Sequence, residues 1–180
     1  MRRALLIALS LATALSSACA MHVVSPPALA AGTTPPATTD RIRVLEPADV
    51  TVGTTLHVGS GGVVAIRTAE GLRFAGYPDV TVIHVSKEPD ARKAALAVHA
   101  RFLVVPTILE WIDHATIFAP NSVRIRLDLE DLAADGRTVN TITFTAHSWR
   151  LLRKPSTYRL LDDTFLQSVA TLVRPSNGGG

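Results

Sequence analysis

Cys19 is the only cysteine in the chain, and its position gives it the clearest claim to chemistry. It follows the small residues Ser16-Ser17-Ala18, which close an uncharged apolar run from Ala4 to Leu15 behind the basic Met1-Arg2-Arg3. A lone thiol in a secreted protein cannot close an intramolecular disulfide, so it is idle, intermolecular or modified. Directly behind a signal-type hydrophobic run, a modified thiol is the reading that suits its position. The run holds twelve residues, enough for the core of a signal peptide and too few to span a bilayer, which takes roughly 20.

Two other groups of residues carry functional side chains. Glu110, Trp111, Asp113, His114 and Thr116 lie at the end of one predicted strand, and His147 with Trp149 at the end of another. If those strands were neighbours, two carboxylates and two histidines would converge, as acid–base or metal chemistry requires. Against this, His114 and His147 lack metal-ligand spacing, and strand alternation sends Asp113 and His114 to opposite faces. Solvated polar residues at a strand end are the plainer account. The second group, Gly59-Ser60-Gly61-Gly62, precedes a predicted helix, where consecutive amides can hold an anion. No Gly-Lys-Ser/Thr follows and the dinucleotide spacing is missing, so a turn with Ser60 capping the helix is the plainer reading there.

No G-x-S-x-G marks a nucleophilic serine, and the one cysteine is at the processing site. His22 lies in the tether, and His57, His84 and His99 stand singly and read as structural. Nothing calls for a cofactor or a metal, and no catalytic residues are assigned.

The elements that must position these residues are legible from periodicity. Val123, Ile125, Leu127 and Leu129 alternate with Arg124, Arg126, Asp128 and Glu130, predicting a strand with one wet face. Asp135-Gly136 supplies positive φ for a tight turn into a second strand over Thr138–Trp149. Phe102–Val105 predicts a strand buried on both faces and running to Trp111, with Pro106 marking a bulge or an edge. Ile42–Leu45 and Val80–Val85 are shorter strands. Helices are predicted over Val63–Phe74, Pro89–Ala100 and Tyr158–Val173, the last with Leu161, Phe165, Val169 and Leu172 on one stripe. The order β-α-β-α-β-β-β-α predicts a single α/β domain with a mixed sheet of about five strands.

Residues 1–18 thus read as a signal peptide, 19–40 as a lipidated cysteine and tether, 41–175 as the folded domain and 176–180 as a loose tail. Two Pro-Pro pairs among Ala, Thr and Gly suit a semi-extended tether, whose twenty residues reach at most ~70 Å. Cleavage before Cys19 lowers Lys plus Arg from 18 to 16 against 15 acidic residues. The mature chain is then nearly neutral, which gives no case for nucleic-acid binding.

Cys19 with its flanks resembles a lipobox, although Ser16 stands where a large aliphatic residue is usual and Leu15 is one place early. Residue 20 is alanine; aspartate there would imply inner-membrane retention, so in a Gram-negative cell the sorting pattern implies the outer membrane, facing the periplasm. The stretch Arg101-Phe-Leu-Val-Val-Pro-Thr-Ile-Leu-Glu-Trp111, with Asp113 and Ala115-Thr116, is similar to a family of small bacterial lipoproteins. That family is catalogued as a domain of unknown function, number forty-eight twenty-three. Ser148, Pro155, Leu160-Leu161 and Gly59-Ser60-Gly61 fit further positions of its pattern. Ile112 stands in place of its Glu, His114 in place of its Arg, and Ile117-Phe118-Ala119-Pro120 in place of Glu-Trp-Ser-Gly. The resemblance implies location and architecture, and no reaction.

The expected function is that of a non-enzymatic binding or assembly module. It would be held to the membrane by its lipid and act on an envelope protein partner through a patch of Glu110, Trp111, Asp113, His114 and Thr116. The alternative is an envelope hydrolase or small-ligand-binding protein using Asp113, His114 and His147.

Overall fold

The computed structural model describes residues 20–24, 34–85, 87–113, 120–148 and 156–174. The signal peptide, Cys19 and the C-terminal tail lie outside these residues. Strands β1 (Ala20–Val24), β2 (Ile42–Leu45), β5 (Val80–Ile83), β6 (Phe102–Ile112), β7 (Asn121–Asp131) and β8 (Arg137–Ser148) form one sheet in the order β1-β8-β7-β6-β2-β5. Strands β3 (Thr51–Val52) and β4 (Thr55–Leu56) make a separate two-stranded hairpin. The helices are α1 (Ser60–Phe74), α2 (Glu88–Ala97) and α3 (Asp163–Leu172). Apart from β1 and the small hairpin, this is the expected α/β order, with β2 parallel to β5 and β6 and the rest of the sheet antiparallel.

The alternating pattern of β7 gives the sheet its two faces. Val123, Ile125, Leu127 and Leu129 are fully buried and join Ile142, Phe144 and Ala146 of β8 beneath α1 and α3. Leu72 of α1 and Phe165, Val169 and Leu172 of α3 close this core, where Phe165 meets Phe144 edge to face at 5.0 Å. Gly71 lets the two helices touch: a Cβ there would stand 2.6 Å from Cβ of Val169. On the other face α2 covers only the lower part, packing Ala91 and Ala95 on Leu103 and Val105. That double covering is why Phe102–Val105 is apolar at every position.

Several expectations change in detail. Ser60 is the first residue of α1 and not its cap; Gly59 holds the cap position at φ +83°, and Ser60 Oγ accepts from the Val50 amide at 2.9 Å. The last predicted helix divides into a short 3-10 turn at Thr157–Leu160 and α3, which begins where the Asp162 carboxylate accepts from the Thr164 amide at 2.9 Å. Pro106 lies past the pairing with β2, which ends at Val104, so β6 is locally an edge there. The bulge falls further on, between Ile108 and Glu110.

Within 19–40, the described residues at both ends engage the folded domain. Ala20–Val24 pair with β8 from Ala20 opposite Ser148 to Val24 opposite Phe144, satisfying the outer edge of a long strand. Further on, Pro36 is buried and its carbonyl accepts from the Tyr77 hydroxyl at 2.8 Å. Residues 25–33 lie outside the described residues. No helix among the described residues is long and apolar enough to cross a membrane.

Candidate functional site

Parallel strands β2 and β5 run the same way as β6, so the carboxyl ends of all three lie at one end of the sheet. In α/β sheets this is where ligands gather, because loops and helix N-termini converge there. Here Glu46 leaves β2, His84 leaves β5, and α1 begins at Ser60, whose hydroxyl lies 3.4 Å from Asp49. Together Glu46, Pro47, Ala48, Asp49, His84 and Val85 line an open crevice of about 310 Å³.

The polar groups of this crevice largely bond to one another. Asp49 accepts from the amides of Gly59 and Gly61, each at 2.9 Å, and lies 3.4 Å from Ser60 Oγ. The Gly59 and Gly61 amides hold the Asp49 carboxyl below its ordinary pKa. The anion at the head of α1 is therefore the chain's own carboxylate, and the Gly59, Ser60, Gly61 and Gly62 turn gathers around it. Gly61 is further confined, since a Cβ would meet the Pro47 carbonyl oxygen at 2.0 Å. Glu46 contacts His84 Nδ1, a carboxylate–imidazole pair able to pass a proton or hold a small polar group. The imidazole is 73% exposed, where such a pair contributes little energy.

The same end of the sheet carries the residues expected to form a binding patch, and the structure divides them. Trp111 is 1% exposed and belongs to the core beneath α1 and α3. Its indole meets Tyr158 edge to face at 5.0 Å and the His57 ring at 6.4 Å, and its Nε1 has no acceptor among the described residues. Glu110 points to the opposite face, where it accepts from Ser122 Oγ and lies 3.7 Å from Arg124. Asp113 is exposed and accepts from Asn121 Nδ2 at 2.8 Å. His114 and Thr116 lie outside the described residues, as does Trp149. Glu110, Trp111 and Asp113 therefore do not make one surface.

His147 pairs in register with Ser122, one residue out of step with Asn121, the partner of Asp113. Alternation places His147 and Asp113 on opposite faces of the sheet. Among the described residues, no three His, Cys, Asp or Glu side chains are grouped to hold a metal. His99 follows α2 at φ +55°, a position set by the turn into β6. Sequence reasoning missed the aromatic node of His57, Trp111 and Tyr158, which ties the β3–β4 hairpin to the sheet: Tyr158 Oη donates to the Val58 carbonyl at 3.1 Å. Burial, then the nearby charges of Asp49 and Asp113, pushes the Tyr158 phenol up.

No family model and no curated protein matches the chain. Similar solved structures include the PelC dodecamer from Paraburkholderia phytofirmans, at 21% identity and TM-score 0.63, covering 86% of this chain and 100% of that one. A looser overlap is found with lipoprotein GNA1162 from Neisseria meningitidis, at 16% identity and TM-score 0.45, covering 61% and 83% of the two chains. Another is XCC0632 from Xanthomonas campestris, of the DUF330 family, at 11% identity and TM-score 0.48, covering 86% and 92%. The first likeness shows that this fold is shared across a whole solved chain.

Proposed function

We propose that the chain is a lipid-anchored lipoprotein of the outer membrane, facing the periplasm, that works as a non-enzymatic assembly module. The observation that carries this reading is the junction of lipobox and fold. The candidate lipid-bearing residue, Cys19, directly precedes β1, so acylation would fix one end of the sheet at the membrane rather than tether a distant domain. More than one acyl chain makes such anchoring durable, since each buried methylene contributes about 0.8 kcal/mol.

The reading as an assembly module draws on two further points. Asp49, Glu110 and Asp113 each bond to groups of the same chain rather than converging on a shared space. The similarly folded PelC protein forms a dodecamer, which favours further copies of this chain as the first partner to test.

The test expresses the full-length tagged chain and its Cys19→Ser variant, with intact-mass measurement, membrane fractionation and in-cell crosslinking. The expected result is an acylated, membrane-bound protein that crosslinks to itself or to a discrete envelope partner. Cys19→Ser should move to the soluble fraction. An unmodified Cys19 would remove the lipoprotein reading, and an acylated protein that stays monomeric and partnerless would remove the assembly reading.

A further inference from the structure

The β3–β4 hairpin is a small apolar projection with no evident role in the core. Thr51 pairs with Leu56 and Val52 with Thr55, Gly53 makes the tip at φ +61°, and the His57 amide donates to the Val50 carbonyl at 2.9 Å. Val52 is 42% exposed, Leu56 54% and Val58 74%. From Val50 to Ile66 there is no Asp, Glu, Lys or Arg. A short exposed hairpin in water normally carries charge to discourage association, and this one carries none.

Its place in the fold gives the apolar tip a neighbour. Val58 is bonded to Tyr158, which packs on Trp111, and Trp111 shares a row of the sheet with Val123 and Ala146. Two residues further along those strands comes the row of Asn121, Ser148 and Ala20, about 7 Å away at the usual strand rise. The hairpin thus leaves the same end of the sheet at which the chain runs back from Ala20 into Cys19. Phe74, Leu96 and Val98 are also exposed, but at the opposite end and beside Arg73, Lys93 and Arg101.

We infer that the β3–β4 hairpin is a second membrane contact, with Val52, Leu56 and Val58 entering the phospholipid interface at the same end of the sheet as the acylated N-terminus. This rests on the lipoprotein reading proposed above. A lipid on Cys19 holds the Ala20 end of the sheet at the bilayer, and an uncharged apolar tip at that end meets the headgroup–acyl boundary, about 5–10 Å deep for amphipathic elements. Anchor and hairpin lie on opposite sides of the sheet's width, β1 at one edge and β2 four strands away. Two separated contacts fix the tilt of the domain, which one anchor leaves free.

The test uses the full-length acylated protein in phosphatidylethanolamine–phosphatidylglycerol vesicles. With Cys19 alkylated, a cysteine introduced by Val58→Cys, Leu56→Cys or Leu96→Cys is the single free thiol and takes an environment-sensitive fluorophore. All three sites are exposed, so labelling leaves the core intact. Doxyl-labelled phospholipid should quench the probe at Leu56→Cys and Val58→Cys several-fold more than at Leu96→Cys. Equal quenching at both ends overturns the inference while leaving the anchor standing. Protection that depends on protein density and not on doxyl lipid also overturns it, assigning the hairpin to a second copy. A protein without acyl mass that fails to float with vesicles removes the lipoprotein reading, and the hairpin inference with it.

Discussion

Oδ1 of Asp49 lies 2.9 Å from the amide nitrogen of Gly61, while its other carboxylate oxygen lies 2.9 Å from the amide of Gly59. One side chain before the helix thus closes the turn that starts it. Asp49→Ala should cost about 1–2 kcal/mol, as capping losses do. Folding holds this carboxyl below its ordinary value of about 3.8. Its stabilisation is therefore full above that value and is lost as pH falls through the lower, folded one. Urea unfolding of wild type and Asp49→Asn from neutral to acid pH checks this: the two midpoints should converge at the acid end.

Gly71 and Val169 set how closely α1 approaches α3. Helix propensity alone would make Gly71→Ala stabilising by about 1 kcal/mol. The contact argues the other way, because the new methyl would stand 2.6 Å from Val169 Cβ and 3.0 Å from the Leu166 carbonyl oxygen. Overpacking of this kind costs about 1–3 kcal/mol, so the net effect should be destabilising. Thermal melting of Gly71→Ala, and of Gly71→Ala with Val169→Ala, tests the relation; the second change should recover part of the loss.

Arg92 reaches from α2 to Glu130 with two hydrogen bonds, at 2.7 and 2.8 Å. Glu130 is only 4% exposed, so removing its partner strands a charge. Arg101 and Asp131 make a similar fork, at 3.0 and 3.1 Å, but with the arginine side chain 46% exposed. Arg92→Ala should therefore cost roughly 2 kcal/mol and Arg101→Ala less than about 1. Chemical denaturation of the two variants under one salt condition decides the ranking.

Trp111→Ala should lose about 3–5 kcal/mol, in line with other buried aromatics. Trp111→Phe should lose less than that, since an aromatic ring still faces Tyr158 and an indole N–H with no acceptor among the described residues disappears. Thermal unfolding monitored by circular dichroism distinguishes the two. Partner binding at this end is better probed at exposed Asp113 than at Trp111, whose removal disturbs the core.

The misplacement of Trp111 shows where reading a sequence reached its limit. Counting alternate residues from Phe102 and Val104 puts Glu110 towards the helices and Trp111 outside. The extra residue at the bulge between Ile108 and Glu110 reverses that parity: Ile108 pairs with Ile125, and Trp111 with Val123, both on the buried face. The β7–β8 hairpin was legible because its alternation and its turn are local; Asp135 and Gly136 adopt the expected positive φ at 56° and 72°. Strand β1 was not, since five residues amid proline-rich chain become a strand only when β8 offers them an edge. The charged cap at Asp49 was equally hidden, being ten residues from the amide of Gly59 that it serves.

The pairing of β1 with β8 joins the first and last strands in chain order, and that sets an order of events. A chain emerging N-terminus first presents β1 long before β8 exists, and closing so long a loop carries a large entropic penalty. The β6–β7–β8 meander needs only neighbouring segments and can form without it. In that interval the outer edge of β8 is a bare template, open to the first strand of any nearby copy as readily as to its own. Membrane anchoring through the residue before β1 would crowd such copies into one plane, and so raise the chance of strand exchange between them over pairing of β8 with its own β1.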